Sequence, residues 1–303
     1  MKVALLSGGV GGARFAHGLQ AALAPGELTV IGNVGDDVEV LGLHVSPDLD
    51  SVLYALADLH DEQRGWGRAG ESWNALESAA AWGGESWFRL GDLDIGLHLV
   101  RTQALRVGER LSAVTATLAT AAGLATRIVP ATDDSLRTHV VTPAGTFAFQ
   151  EWFVGRGHRD EVDDVRFEGS DTARPAPGAL EALREADAIL IAPSNPYVSI
   201  HAILAVRAIR DELRSRRVRS VAVSPLVGGR AVKGPADRML SRMAGGTAPR
   251  QVTDCYKGLI DALVIDASDS PAEAGVPTVV TSTLMTDLTA ARRLAEVALE
   301  AAT

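Results

Sequence analysis

Six short aliphatic runs recur along the chain with helix-like stretches between them: KVALLS (2–7), ELTVIGN (27–33), ADAILIAPSN (186–195), RSVAVSP (219–225), DALVIDA (261–267) and PTVVTS (277–282). A strand that is apolar at nearly every position has no polar face to give to water, so it must be covered on both sides. Strands of that kind alternating with helices form a parallel sheet with helices above and below. The chain has 303 residues, 47% of them hydrophobic, enough material for such a core. The predicted fold is α/β: a Rossmann-like, doubly wound, mainly parallel sheet, with residues 1–303 forming a single domain.

Between about residues 60 and 175 the rhythm breaks. All five tryptophans (Trp66, Trp73, Trp82, Trp87 and Trp152) fall there. Helical patterns cover about 92–107 and 109–123, and RTHVVTPAGTFAFQEWFV (137–154) predicts a hairpin turning at PAG. This span is expected to be an inserted helical and β lobe that caps the sheet.

The stretch SGGVGGAR (7–14) joins the first strand to the first helix. Backbone N–H groups and the helix N-terminus attract anions at such a junction. The dinucleotide pattern G-x-G-x-x-G fails, because counting from Gly9 its last position falls on Arg14, and the second strand ends in Asn33 instead of an acid. No Gly-Lys-Ser/Thr follows either, so the loop is not a Walker A motif. Gly9, Gly11, Gly12 and Arg14 are candidates for holding phosphate, with a purely turn-tightening role for the glycines as the alternative.

A second loop, GNVGDDVEVLGLHVSPDLDSVLYAL (32–56), carries Asp36, Asp37, Asp48 and Asp50, four aspartates in fifteen residues. Mg²⁺ is suited by one or two carboxylates completed by phosphate oxygens and water. Asp37 and Asp50 are the predicted ligands; Asp48 reads equally as a helix N-cap, and Glu39 as solvated. A third loop, APSNPYVSI (192–200), offers Ser194 and Asn195, with Ser199 as the expected N-cap. The fourth, SPLVGGRAVKGPADRML (224–240), offers Arg230 and Lys233. All four follow strands, and ligands of open α/β sheets bind at the carboxyl ends of strands.

Composition narrows the partners. A net charge of −9 argues against nucleic acid, whose binding is driven by phosphate neutralisation. Cys255 is the sole cysteine, which excludes an intramolecular disulfide and disfavours a Cys-based metal site, and it reads as a buried, inert thiol. No apolar run is long enough to cross a membrane and the chain starts directly on a strand-like segment, so a soluble, cytoplasmic protein without a membrane partner is expected. His98 and His139 have apolar neighbours and read as core or supporting histidines. Trp66, Trp73 and Trp87 suit either a flat stacking pocket or the core of the lobe.

SGGVGGARF, NVGDD, SPDLDSVLY, RGWG, LGDLDIGLHLVRTQALRVGERLS, ATDDSLRTHVVT, FQEWFV, APSNPYVSI, SPLVGGRAVKGPADRML and LMTD occur in this order. Together they resemble the 2-phospho-L-lactate transferases of coenzyme F-420 biosynthesis and their phosphoenolpyruvate transferase relatives, over essentially the whole chain. The resemblance implies that the terminal hydroxyl of Fo (7,8-didemethyl-8-hydroxy-5-deazariboflavin) attacks a guanylylated phospho-acid donor, enolpyruvyl or lactyl, with Mg²⁺ as the metal and GMP as leaving group. It also implies Asp50 and Arg89 at the deazaflavin, Asp37 and Asp50 as catalytic and metal-holding carboxylates, and Gly9, Gly11, Gly12, Arg14, Ser194, Asn195, Arg230 and Lys233 at the guanylyl diphosphate. A homodimer is a further implication. Asp50→Ala is expected to stop turnover with little loss of fold. A non-catalytic nucleotide-sugar-binding regulator from a related family is the alternative. Such a protein carries a longer glycine and serine stretch after its second-strand aspartates, where this chain has SPDLD. A nicotinamide-dependent oxidoreductase is disfavoured by the broken fingerprint.

Overall fold

The structure, a computed structural model, describes residues 1–272 and 274–303. From the N-terminus, β1 (Val3–Ser7) leads into α1 (Gly9–Ala22) and β2 (Leu28–Gly32). A small hairpin of β3 (Val38–Val40) and β4 (Leu43–Val45) precedes α2 (Pro47–Leu56), α3 (Asn74–Ala81), α4 (Asp92–Arg106) and α5 (Leu111–Ala121). Strand β5 (Arg127–Pro130) is followed by β6 (Arg137–Thr142), β7 (Gly145–Ala148) and β8 (Asp164–Glu168). The remaining chain runs through α6 (Ala179–Glu185), β9 (Ala188–Ile191), α7 (His201–Ala205), α8 (Arg207–Arg214) and β10 (Ser220–Val223). A minimal hairpin, β11 (Leu226–Val227) and β12 (Arg230–Ala231), then leads to α9 (Ala236–Ala244), α10 (Pro249–Cys255), β13 (Ala262–Asp266), β14 (Thr278–Thr281) and α11 (Leu288–Ala301).

Seven strands form one parallel sheet in the order β14-β13-β10-β9-β1-β2-β5. Every residue of β1, β2, β9, β10 and β13 is buried, as strands covered on both faces must be. All six predicted strands lie in this sheet, and the α/β expectation holds. The chain winds outward from β1 in both directions, so the order reverses between β1 and β9. Loops leaving neighbouring strands diverge there and open the crevice in which such sheets take ligands.

The span predicted as one inserted lobe is divided. β5 lies inside it yet joins the sheet edge beside β2, pairing Thr29 with Arg127 and Gly32 with Pro130. Four residues with an exposed arginine at one end give too short an apolar run to stand out from sequence. Helices α3 to α5 come before it, and a three-stranded antiparallel sheet, β7-β6-β8, follows. The predicted hairpin is β6–β7, with Thr142 opposite Gly145. β8 adds to the other side of β6 with only alternate residues covered. Trp152 is fully buried among Val140, Phe149, Val162, Val198 and Met239 and anchors this second core. Among the described residues no helix is long and apolar enough to cross a membrane.

Candidate functional site

The glycine loop meets the APSN loop at the switch point. Ser194 Oγ donates to the Gly8 carbonyl at 2.7 Å and lies 3.3 Å from the Gly8 N–H. A Cβ on Gly12 would stand 2.4 Å from Ser7 Oγ and 2.7 Å from Ser194 Oγ, and one on Gly11 would stand 2.8 Å from the Pro193 carbonyl. These two glycines let the first turn of α1 press onto the loop after β9. Gly9 has φ +67°, in the left-handed region, and turns the backbone from strand into helix. The turn-tightening role is therefore real, and it aims the N-terminus of α1 over the crevice.

No acidic residue lies in the first turn of α1. Its carboxylate neighbour comes from α2. Asp48 accepts the Asn33 side-chain N–H at 2.9 Å and a hydrogen bond from the Gly9 N–H, and its Oδ2 is 2.6 Å from where a Gly8 Cβ would be. Ser46 is the N-cap residue of α2, so the N-cap reading of Asp48 is corrected: it lies inside the first turn and turns toward the glycine loop. Asn33 ends β2 where a dinucleotide-binding strand has its acid; its Oδ1 also accepts the Gly35 N–H at 2.7 Å, which fixes the loop carrying Asp36 and Asp37. Asp36, Asp37, Asp48 and Asp50 are all buried. Burial above all, with Asp48 next, raises the Asp36 carboxyl well above the usual carboxylate range, and burial pushes Asp48 up to about 6.

Asp37 Oδ2 accepts from Ser46 Oγ at 2.9 Å and faces His44 Nε2 at 3.0 Å, while Asp37 Oδ1 and Asp36 Oδ1 are buried without a hydrogen-bond partner. Asp50 is committed differently. Arg101 reaches from α4 with both terminal nitrogens, Nη1 to Oδ2 at 2.9 Å and Nη2 to Oδ1, and Arg101 is itself 1% exposed. His98 Nδ1 lies 3.2 Å from Arg101 Nη1, and burial lowers the pKa of its imidazole, so it acts as a neutral acceptor beside the ion pair. Arg101 is the one lysine or arginine buried among the described residues, so four buried carboxylates face a single buried cation. Such an excess of negative charge calls for a cationic guest or for bound protons.

Arg14 and Lys233 come together over the 61–67 loop. Lys233 Nζ donates to the Gly65 carbonyl at 3.0 Å, and Arg14 Nη1 donates to the Met285 carbonyl at 3.2 Å. Arg230 is exposed on β12. Arg89 is also exposed, with its guanidinium 4.5 Å from the ring centre of Trp73. Trp66 and Trp73 lie 6.4 Å apart with Arg64 against both, whereas Trp87 packs edge-on against Phe88. Asn195 is engaged within its own loop. Its Oδ1 caps the turn Pro196–Ile200 through the Tyr197 N–H at 3.0 Å and its Nδ2 reaches Met239 Sδ at 3.3 Å, which makes it, and not Ser199, the capping residue. His139 lies half-buried on β6, 2.9 Å from Glu168, and Glu39 is exposed as read. Cys255 is half-buried, its thiol pushed up to about 11 by burial, which suits an unreactive group.

Among the described residues no three His, Cys, Asp or Glu side chains converge to hold an ion by themselves. A cleft of about 670 Å³, lined by Asp134, Ser135, Arg137, Glu168, Gly169, Thr172 and Arg174, includes none of the predicted site residues. A second pocket, with room for about 20 Å³, lies between α1, α2 and the 61–67 loop; Val10, Ala13, Arg14, Tyr54, His60 and Trp66 line it. That is space for one water, so a ligand enters only as the loop shifts. Sequence reasoning missed Asn33 as a hub and Arg101 as the partner of Asp50. The first was legible as a polar residue ending an otherwise apolar strand, and the second lies in an ordinary helical pattern 51 residues away.

Comparisons with known proteins show what the chain as a whole resembles. Residues 3–290 match the family model described as 2-phospho-L-lactate transferase CofD. A phosphoenolpyruvate transferase from Streptomyces coelicolor is 42% identical over 310 residues, covering 99% of this chain and 97% of that protein. One from Kitasatospora aureofaciens is 42% identical over 311 residues with the same coverage, and one from Thermobifida fusca is 42% identical over 284, covering 89% and 88%. Among solved structures, two of protein BH3568 from Bacillus halodurans superpose with TM-scores of 0.66 and 0.65. They share 17% and 18% identity and cover 98% and 99% of this chain and 99% and 100% of theirs, a likeness of fold.

Proposed function

The chain belongs to the 2-phospho-L-lactate transferase CofD family, and from that premise we propose that it moves a phospho-acid group from a guanylylated donor onto Fo in the making of coenzyme F-420. The observation that carries this reading is the buried carboxylate cluster beside the N-terminus of α1, with Asp48 Oδ2 2.6 Å from where a Gly8 Cβ would lie. One side of the crevice suits phosphate oxygens and the other suits the cation that accompanies them.

Phosphoryl transfer asks for alignment and charge neutralisation, with no covalent nucleophile on the protein. The terminal hydroxyl oxygen of Fo attacks the phosphorus that bears the small acid. A new P–O bond forms, the bridging P–O bond breaks, GMP leaves with the electron pair, and the hydroxyl proton passes to water. The N-terminal amides of α1 bind the donor's phosphate oxygens, and Arg14 and Lys233 add positive charge farther along the donor. Ser194 shapes the loop by bonding to Gly8, and Asn195 caps its own turn, so both support the donor site and neither spends its side chain on the nucleotide. Arg89 on Trp73 and the Trp66–Trp73 pair give the deazaflavin a cationic, aromatic surface.

Mg²⁺ fits the donor set: Asp36 and Asp37 each keep a buried oxygen without a partner, the incomplete carboxylate shell that phosphate oxygens and water complete. When bound, it would neutralise charge building on the transferring phosphoryl oxygens. Asp50 fits that role poorly, because both of its oxygens are held by Arg101. With both oxygens held in place, Asp50 orients the acceptor hydroxyl through its remaining lone pairs. Removing Asp50 strands a buried guanidinium, which costs about 3–5 kcal/mol, so Asp50→Ala tests folding as much as chemistry. Asp37→Asn is the cleaner variant.

The test is to incubate the full chain with Fo, Mg²⁺ and each synthetic donor, enolpyruvyl, lactyl or glyceryl, and to identify the product by mass. The named relatives, phosphoenolpyruvate transferases, support the enolpyruvyl donor and dehydro-F-420-0 as product. Asp37→Asn should lower turnover at least about 100-fold, as expected when a transition-state charge loses its neutralising partner. Absence of GMP release from every donor would overturn the reading.

A further inference from the structure

Arg14 and Lys233 stand apart from the other cations of the molecule. Their side chains approach closely enough for Arg14 to lower the lysine's pKa, after burial. An imagined Cβ on Gly65 would meet Lys233 Nζ at 2.0 Å and Arg14 Nη2 at 3.7 Å, so both heads lie against one point of the 61–67 loop. Their hydrogen bonds run to the neutral carbonyls of Gly65 and Met285, and among the described residues no carboxylate within 4.0 Å pairs with either. Two cations, one on α1 and one on the loop before α9, placed side by side without an acid, repel each other unless an anion joins them. Arg14 also lines the small pocket whose other walls include Val10, Ala13 and Trp66.

Position along α1 separates this pair from the phosphate amides. Arg14 follows Val10 by four residues, just over one helical turn or about 6 Å along the axis. The donor is built to match that offset, since its carboxylate hangs on the carbon that carries the phosphate ester oxygen. The carboxylate cannot turn the other way, where Asp36, Asp37 and Asp48 lie buried.

Resting on the functional reading above, we propose that Arg14 and Lys233 form the subsite for the carboxylate of the transferred acid, the Lys233 ammonium exchanging the Gly65 carbonyl for that carboxylate. The apolar wall of Val10, Ala13 and Trp66 takes the neighbouring methyl or methylene carbon. The pair thereby selects donors bearing an acid, while the diphosphate binds independently of it.

The experiment compares three probes by calorimetry on the full chain with Mg²⁺: GDP, the ethyl ester of its β-phosphate, and the corresponding lactyl ester, which differs from the ethyl ester by the carboxylate. Wild type should bind the lactyl ester about 10- to 100-fold more tightly than the ethyl ester, the worth of one charge-assisted hydrogen bond. Lys233→Met should erase most of that ratio and leave GDP and the ethyl ester unchanged, whereas Lys233→Arg should preserve it. Arg14→Gln should shrink the same ratio, which guards against a loop shift special to Lys233→Met. Equal weakening of both esters would assign the pair to the phosphates, and an unchanged ratio would remove it from the site; either overturns the proposal. Failure of wild type to bind all three probes would instead overturn the functional reading, and the subsite with it.

Discussion

Asp48 is the residue at which burial and chemistry conflict most openly. Its carboxyl is pushed up to about 6, first by desolvation and then by the neighbouring aspartates, against the pull of Asn33 and the Gly9 N–H. A raised folded-state pKa means that the stability this group contributes is full below its unfolded value near 3.8 and is lost as pH climbs through about 6. Asp48→Asn keeps the shape and removes the charge. The variant should therefore gain melting temperature over wild type at pH 8 and lose that advantage at pH 4, as followed by thermal unfolding across that range. A constant difference between the two proteins would mean that Asp48 is not charged at the cost of stability. The four aspartates were visible in the sequence because they crowd two turns. Their separate fates were not, because they depend on Asn33, Ser46, His44 and Arg101, and Arg101 meets Asp50 only when α4 crosses α2.

At the scale of elements, glycines control how α1 enters the crevice. Gly12 has Ser7 Oγ and Ser194 Oγ where a Cβ would go, so Gly12→Ala must push the first turn of α1 away from β1 and the loop after β9. Overpacking of this kind costs about 1–3 kcal/mol. Denaturant unfolding should show that loss, and Ser194→Gly in the same chain should recover part of it by clearing one of the two contacts. Full additivity of the two changes would mean that the side chains do not compete for the space. The doubly wound sheet was legible because its strands are apolar at every position, a pattern with few structural outlets. β5 and β8 were harder to read. One has four residues with a charged end, and the other is covered on one face only, so neither carries the signature that reveals a central strand.

The whole molecule joins these pieces through strand order. Placing β1 beside β9 brings a loop near residue 8 against one near residue 194, a proximity that sequence spacing alone could suggest only by analogy with other open sheets. The resulting crevice has excess buried carboxylates, a helix N-terminus and a nearby cation pair, but among the described residues no complete metal cage. Cation and diphosphate should therefore depend on each other, each supplying what the other lacks. A ligand at 100 times its Kd that binds only the folded state adds about 2.7 kcal/mol, which for a chain of this size raises Tm by about 4 °C. Mg²⁺ alone and a guanylylated diphosphate alone should each give a small fraction of that shift, the two together should give all of it, and chelation should return the mixture to the diphosphate-only value. Asp37→Asn should abolish the cooperative part while leaving the Tm without ligands within a few degrees. If Mg²⁺ raised Tm equally with and without the diphosphate, the carboxylates would be holding the ion unaided, and a site completed by substrate would be the wrong description of this crevice.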